Sequence, residues 1–243
     1  MKSYYSIILV LVALPVLSSL YYFYPIGAEV DRVFLSISTF LFSIFTGFFI
    51  SRQAGRFNKV RETVTKFDGL MSGIYRSTGH IDKNLQIESA QIISRHYKTI
   101  LDSGQWNIHF LKKSTTLTDL HAALEKHVKD ESITKLSNQA LGAVVKALAA
   151  MQDVRKQMVA LHKERIPLEQ WALILFFAAM LICTASLMPS VGLLFPAILK
   201  SAFVISVLSV ILILYRLNNL AFTERIMGEE SAHDVLNIID GTR

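Results

Sequence analysis

The chain has 243 residues, of which 52% are apolar and only 18% charged, with a mean hydropathy of +0.40; this is too apolar for an ordinary water-soluble domain of its length. A single cysteine, Cys183, excludes an intramolecular disulfide framework and any multi-cysteine zinc or iron–sulfur site. Lys and Arg outnumber Asp and Glu by 25 to 19, but the excess lies beside the apolar segments rather than in a separate basic tract, so no nucleic-acid partner is expected.

Residues 4–24 carry no charge over 21 positions, enough for a helix rising about 1.5 Å per residue to cross a hydrocarbon core of about 30 Å. Lys2 ahead of this run also suits a secretory signal, but Leu17-Ser18-Ser19-Leu20-Tyr21-Tyr22 is a poor small-residue cleavage site. The segment is therefore expected to remain as the first span. A short loop with Pro25, Gly27, Glu29, Asp31 and Arg32 leads to a second span at 33–51. Phe57, Val60, Val64, Phe67, Met71 and Ile74 then recur at spacings of three and four with charges between them, so the same helix is predicted to run on to about Thr78, where Gly79-His80 ends it.

Further helices are predicted from Lys83 to Leu101, with Ile87, Ile93, Tyr97 and Ile100 inward and Asp102-Ser103-Gly104 as the stop, and from Thr118 to Lys129 after a loop at Lys113-Ser114-Thr115-Thr116. A long one from Ser132 to Arg165 places Leu141, Val144, Leu148, Met151, Val154, Met158 and Leu161 on one face. Pro167 marks a restart before the next apolar segment. From Gln170 to Tyr215 there are 46 residues with one charge, Lys200, more than twice what one crossing needs. The breaker string Met188-Pro189-Ser190-Val191-Gly192 divides them into spans at 169–188 and 196–216.

Arg52, Arg56, Lys59 and Arg61 follow the second span and Lys163 and Arg165 precede the third, whereas the 25–32 loop has one basic residue. The positive-inside bias then puts both termini and the middle segment in the cytoplasm. Residues 51–166 hold 19 Lys/Arg against 11 Asp/Glu, which suits a domain lying against anionic headgroups of the inner membrane. The expected organisation is transmembrane helices one and two in 1–50, a cytoplasmic helical domain in 51–166, helices three and four in 167–216, and a cytoplasmic C-terminal segment in 217–243.

Catalytic signals are lacking. The seven histidines give one i,i+4 pair of interest, His121 with Glu125, and no second histidine at a ligand spacing beside it. There is no glycine-rich phosphate loop or nucleophile elbow, and no Asp, Glu or His inside any span beyond Glu169 at the first position of the third. Neither an enzyme nor a bound cofactor or metal is expected.

The second span divides into stripes at about 100° per residue. Ser36, Thr39, Ser43, Thr46 and Gly47 fall on one side, Phe40, Ile44 and Phe48 descend an adjoining face, and Phe34, Phe42, Phe45 and Phe49 take the remainder. Two readings stay open: the small stripe packs against a neighbouring helix while the aromatics meet lipid, or one stripe lines a pore that gates by dewetting. Arg52 and Arg56 read either as headgroup anchors or as cations attracting anions to a mouth. Lys200, about one turn inside the fourth span, either snorkels outward or attracts anions from outside.

The run Gly47-Phe48-Phe49-Ile50-Ser51-Arg52, followed by Arg56-Phe57, Arg61, Phe67-Asp68-Gly69 and Tyr75-Arg76, resembles the second helix of the bestrophin family of anion channels. It is more similar still to a group of bestrophin-like prokaryotic membrane proteins. Arg165, Pro167 and Trp171, then Arg216-Leu217-Asn218-Asn219 and the segment from Gly228 to Val235, share that look, so the resemblance covers most of the chain. It implies an all-α membrane protein in which four spans and a cytoplasmic helical bundle per subunit surround a central pore, in a homo-oligomer, most simply a pentamer, that passes chloride or other small anions. Phe40, Ile44 and Phe48 take the neck positions by this resemblance, with Arg52, Arg56 and Lys200 drawing anions. The chain departs from the calcium-activated members in having no dense acidic run: Glu229, Glu230 and Asp234 are the one candidate cluster, and calcium gating is not expected. The competing expectation is a non-conducting membrane-anchored scaffold or signalling module whose helical domain binds a protein partner.

Overall fold

A computed structural model of the chain describes residues 2–23, 32–112, 114–128, 135–187, 194–220 and 229–241, and within these the regular structure is entirely helical. In chain order the helices are α1 (Lys2–Phe23), α2 (Arg32–Thr78), α3 (Lys83–Ser103), α4 (Ile108–Leu111), α5 (Thr116–His127), α6 (Lys135–Lys163), α7 (Leu168–Leu187), α8 (Leu194–Asn218) and α9 (Glu229–Asp240). They fall into two compact units, Met1–Ala54 with Ile166–Asn219, and Gly55–Arg165 with Leu220–Arg243. The boundary crosses α2 without interrupting it. At 47 residues this helix is about 70 Å long, and it ends at the turn that contains Gly79 and His80, as its periodicity predicts. The 25–31 loop, the 188–192 breaker string and the first residues of the 132–165 helix lie outside the described residues.

In the first unit, α1 packs along α8 and α8 packs on α7. Ile174, Ala178 and Leu181 of α7 and Val207 and Leu214 of α8 form a core that Phe42 and Phe49 of α2 complete. Phe45 of α2 stacks on Phe177 of α7 with ring centroids 5.6 Å apart. Hydroxyls inside these apolar helices bond one turn back, Thr184 to the Met180 carbonyl at 2.6 Å and Ser201 to that of Ala197 at 2.8 Å, which satisfies them without water. The Ile166 amide donates to the Asn218 side-chain oxygen at 2.8 Å, tying the start of α7 to the end of α8. Cys183 is exposed on α7. Among the described residues, α2, α7 and α8 are long and apolar enough to cross a membrane; the described apolar part of α1, Val12–Phe23, is shorter.

The second unit is built like the interior of a helical domain. Val60, Val64, Phe67, Met71 and Ile74 of α2 meet Ile93, Tyr97 and Ile100 of α3, Leu120 and Leu124 of α5, and Val144, Leu148, Met151, Val154 and Met158 of α6. Asp82 caps α3, accepting from the Leu85 amide at 2.9 Å, and Gly104 closes it in the left-handed conformation at φ 61°. Ile87, predicted to face inward, is exposed. From Ile93 it lies about 120° round the helix, while Leu85, Ser89, Ile92 and His96 fill the buried side. The short α4, with Trp106 and Phe110, adds core that the periodicity did not predict. The C-terminal α9 docks against α3, burying Ala232 and Val235.

Candidate pore-lining surface

Within the first unit, α2 turns one face inward and leaves the other uncovered. Phe42 and Phe49 are 6% and 4% exposed, whereas Phe40, Ile44 and Phe48 are 63%, 50% and 60% exposed. Ser36, Ser43 and Gly47 are exposed beside them. At about 100° per residue all six fall within one half of the helix circumference, with Val33 and Ile37 continuing the same face. Among the described residues, Ser43 and Gly47 are therefore not covered by a helix of their own subunit. A Cβ built on Gly47 meets nothing within 4 Å, so no neighbour among the described residues requires glycine there.

Two members of the predicted polar stripe leave it. Thr46 is buried and donates to the Phe42 carbonyl at 2.6 Å, and Thr39, half-buried, donates to that of Leu35 at 2.8 Å. Both hydroxyl protons are committed to the helix, as expected where water is scarce. Thr46 sits about 120° from Phe40, which turns it toward the core.

The predicted anion-attracting cations divide. Arg52 is exposed on α2. Arg56 is buried: its Nε donates to the Leu161 carbonyl at 2.6 Å and an Nη to that of His162 at 3.0 Å. These carbonyls end α6 and have no acceptor role left inside the helix, so the guanidinium caps the negative pole of that helix. Lys200 is also buried, donating to the Ser186 carbonyl at 3.3 Å with its Nζ 5.3 Å from the Tyr21 ring centroid. The Tyr21 hydroxyl and the Ser186 hydroxyl bond at 2.7 Å. Lys200 thus serves the last turn of α7, and neither expected role, outward snorkelling or an exposed attractor, matches its position. The signal that separates Arg52 from Arg56 is the α2 periodicity itself: Arg56 lies one turn ahead of Val60 on the buried stripe.

Sequence reasoning did not single out two buried polar clusters of the second unit. Asp68 accepts from the Tyr97 hydroxyl at 2.5 Å and from the Ser231 hydroxyl, joining α2, α3 and α9. Burial raises its pKa, the Ser231 and Tyr97 hydrogen bonds opposing that shift. The rings of His96 and His109 stack with centroids 3.8 Å apart, with His96 Nδ1 3.0 Å from the Thr116 hydroxyl and His109 Nε2 2.9 Å from the His96 carbonyl. Burial holds both histidines below the ordinary imidazole range, the neighbouring His109 adding to the effect on His96 and Arg155 to that on His109. Among the described residues no group of three or more His, Cys, Asp or Glu could hold a metal ion.

Apolar helices long enough to cross a bilayer, with no strand among the described residues, define an all-helical membrane protein. A family profile described as Bestrophin-like domain matches residues 9–221, and the chain belongs to the bestrophin-like family. That family includes anion channels and is associated with channels rather than enzymes. No curated protein and no solved structure matches the chain.

Proposed function

We propose that the chain is one subunit of a homo-oligomeric anion channel, pentameric by analogy with the family, whose axial pore is lined by the uncovered face of α2. The observation that carries this reading is that Phe40, Ile44 and Phe48, together with Ser36, Ser43 and Gly47, form one exposed face while Phe42, Phe45 and Phe49 of the same span pack against the core of the first unit. A four-span subunit has no room for a private aqueous passage, so copies of α2 supply the walls. A ring of Phe40, Ile44 and Phe48 holds no fixed charge to trap an ion, can dewet, and offers aromatic edges of partial positive charge to a passing anion. Gly47 leaves room beside the Phe48 ring. Arg52, just past this face, raises the local anion concentration at the mouth. Arg56, Lys200 and Thr46 are support for the frame rather than parts of the conduit. Four spans, with both termini and the second unit on the cytoplasmic side of the inner membrane, agree with the distribution of Lys and Arg.

Chloride flux from liposomes reconstituted with the purified protein tests this. Wild type is expected to release chloride, Phe48→Ala to change the rate, and the particle to contain five subunits. Absent flux from both, or a monomer in mild detergent, would leave the non-conducting scaffold as the surviving function.

A further inference from the structure

A cavity of about 460 Å³ opens between the start of α5 and the middle of α6. Its polar wall is Ser114, Thr118, Gln152, Arg155 and Lys156, and Leu117 and Val159 supply the apolar remainder. Among the described residues no carboxylate lines it. Ser114, Leu117 and Arg155 also line an adjoining crevice whose far wall is the stacked His96–His109 pair. Among the described residues Arg155 has no carboxylate partner, and the neighbouring titratable group on which its charge acts is His109. Lys156 reaches Asp153 only at 4.0 Å, with both side chains largely in solvent. The one acidic residue in the first turn of α5, Asp119, is held by Arg95 at 3.1 Å and by the Thr115 hydroxyl at 3.0 Å.

Among the described residues this half-buried guanidinium shares a crevice with a histidine pair and has no carboxylate to neutralise it. Arg155 offers a planar fork of donors, Lys156 a second positive charge, and Ser114, Thr118 and Gln152 neutral hydrogen-bonding groups. Such a set matches a doubly charged tetrahedral oxyanion. The space exceeds what a bare halide fills and suits a small organic ligand that carries the anion. We infer that this cavity binds a phosphate group, borne by a soluble phosphorylated metabolite or by a phospholipid headgroup, on Arg155 and Lys156 between α5 and α6.

The test is a binding measurement on the full-length chain and does not depend on conduction. Inorganic phosphate is titrated calorimetrically into the protein in detergent, and in a parallel arm the protein is captured on nanodiscs with and without phosphatidic acid. Saturable binding is expected in at least one arm; binding of phosphate alone names the soluble source, and binding confined to phosphatidic acid names the lipid. Arg155→Gln and Lys156→Gln are each expected to weaken it roughly tenfold or more, because each removes charge-assisted hydrogen bonds. Lys146→Gln, exposed on α6 and outside the cavity, leaves it unchanged. Bound phosphate also offsets the Arg155 charge, so the His109 ring, followed by NMR, takes up its proton at higher pH than in the free protein. Lys156→Gln, at an exposed position, keeps the test decisive if Arg155→Gln fails to fold. No saturable binding in either arm, or binding that both variants leave intact, overturns the inference.

Discussion

Along α2, the part that belongs to the second unit and the part that belongs to the first are built on opposite plans. From Val60 to Ile74 the apolar stripe is buried and charged residues such as Arg61, Glu62 and Lys66 face out, so a periodicity of three and four points straight at the core. From Val33 to Gln53 the apolar side chains Phe40, Ile44 and Phe48 face out, while Ser38, Thr46 and Gln53 are among the buried positions. Hydrophobic contrast marks the inside of a helix only where water is the alternative. Where the alternative is lipid or a neighbouring subunit, packing and hydrogen bonding decide which side turns inward.

The sharpest way to break this comparison is to truncate to alanine one buried side chain of the second unit's core and one uncovered side chain of α2 in the first unit. Leu148→Ala, in the core that α2 shares in the second unit, is expected to cost about 2–5 kcal/mol, read as an early thermal loss of helical signal in detergent. Phe40→Ala is expected to leave that transition in place and to alter chloride flux instead. Equal destabilisation by both would remove the distinction. Next in size, Arg56→Gln strips the cap from α6 and is expected to lower stability by roughly 1.5–3 kcal/mol, the worth of hydrogen bonds to a charged group, whereas Arg52→Gln leaves melting unchanged and slows chloride entry into the pore at low salt. Asp68→Ala leaves the Tyr97 hydroxyl buried without its acceptor, at about 1–3 kcal/mol, and frees α9 to limited proteolysis; Ser231→Ala does so to a lesser degree.

The smallest effect is a pH dependence. His96 and His109 are held below the ordinary imidazole pKa by burial, so the unfolded chain binds more protons than the folded one at mildly acidic pH. Their contribution is complete above about pH 6.5 and is lost progressively as the pH falls below it. Asp68, raised by burial, acts in the opposite sense, costing stability as the pH climbs past the ordinary carboxyl range. The difference between wild type and His96→Gln cancels the carboxyl contribution. The gap between the two melting temperatures should shift in favour of His96→Gln on going from pH 7.5 to pH 5.5; a constant gap would contradict the burial argument for that ring.

The same contrast governs how legible each part is in the sequence. The core positions of α2 and α6 in the second unit can be read from spacing alone, since Leu148, Met151 and Val154 stand among charged neighbours. The stop of α3 at Gly104 follows from a left-handed conformation that few residues other than glycine adopt, and α2 ends beside Gly79. Ile87 misleads because it is apolar yet lies off the axis defined by Ile93 and Tyr97. Asp68, His96 and Ser89 are invisible for the reverse reason: their burial depends on partners distant in the chain. In the span, Phe40 and Phe42 are the same residue type two positions apart, and only contacts with α7 and α8 assign them to different sides. Where periodicity leaves a choice of face, the Phe40, Ile44 and Phe48 neck rests on the family resemblance, and the burial of Arg56 and Lys200 cannot be read from their charge.

Cys183 gives the chain a built-in counting label. It is the sole thiol in the sequence and its side chain is exposed on α7, so a membrane-permeant maleimide dye attaches at most one fluorophore per polypeptide with no engineered site. Stepwise photobleaching of single reconstituted particles then reads out how many polypeptides share an assembly, from the unmodified sequence.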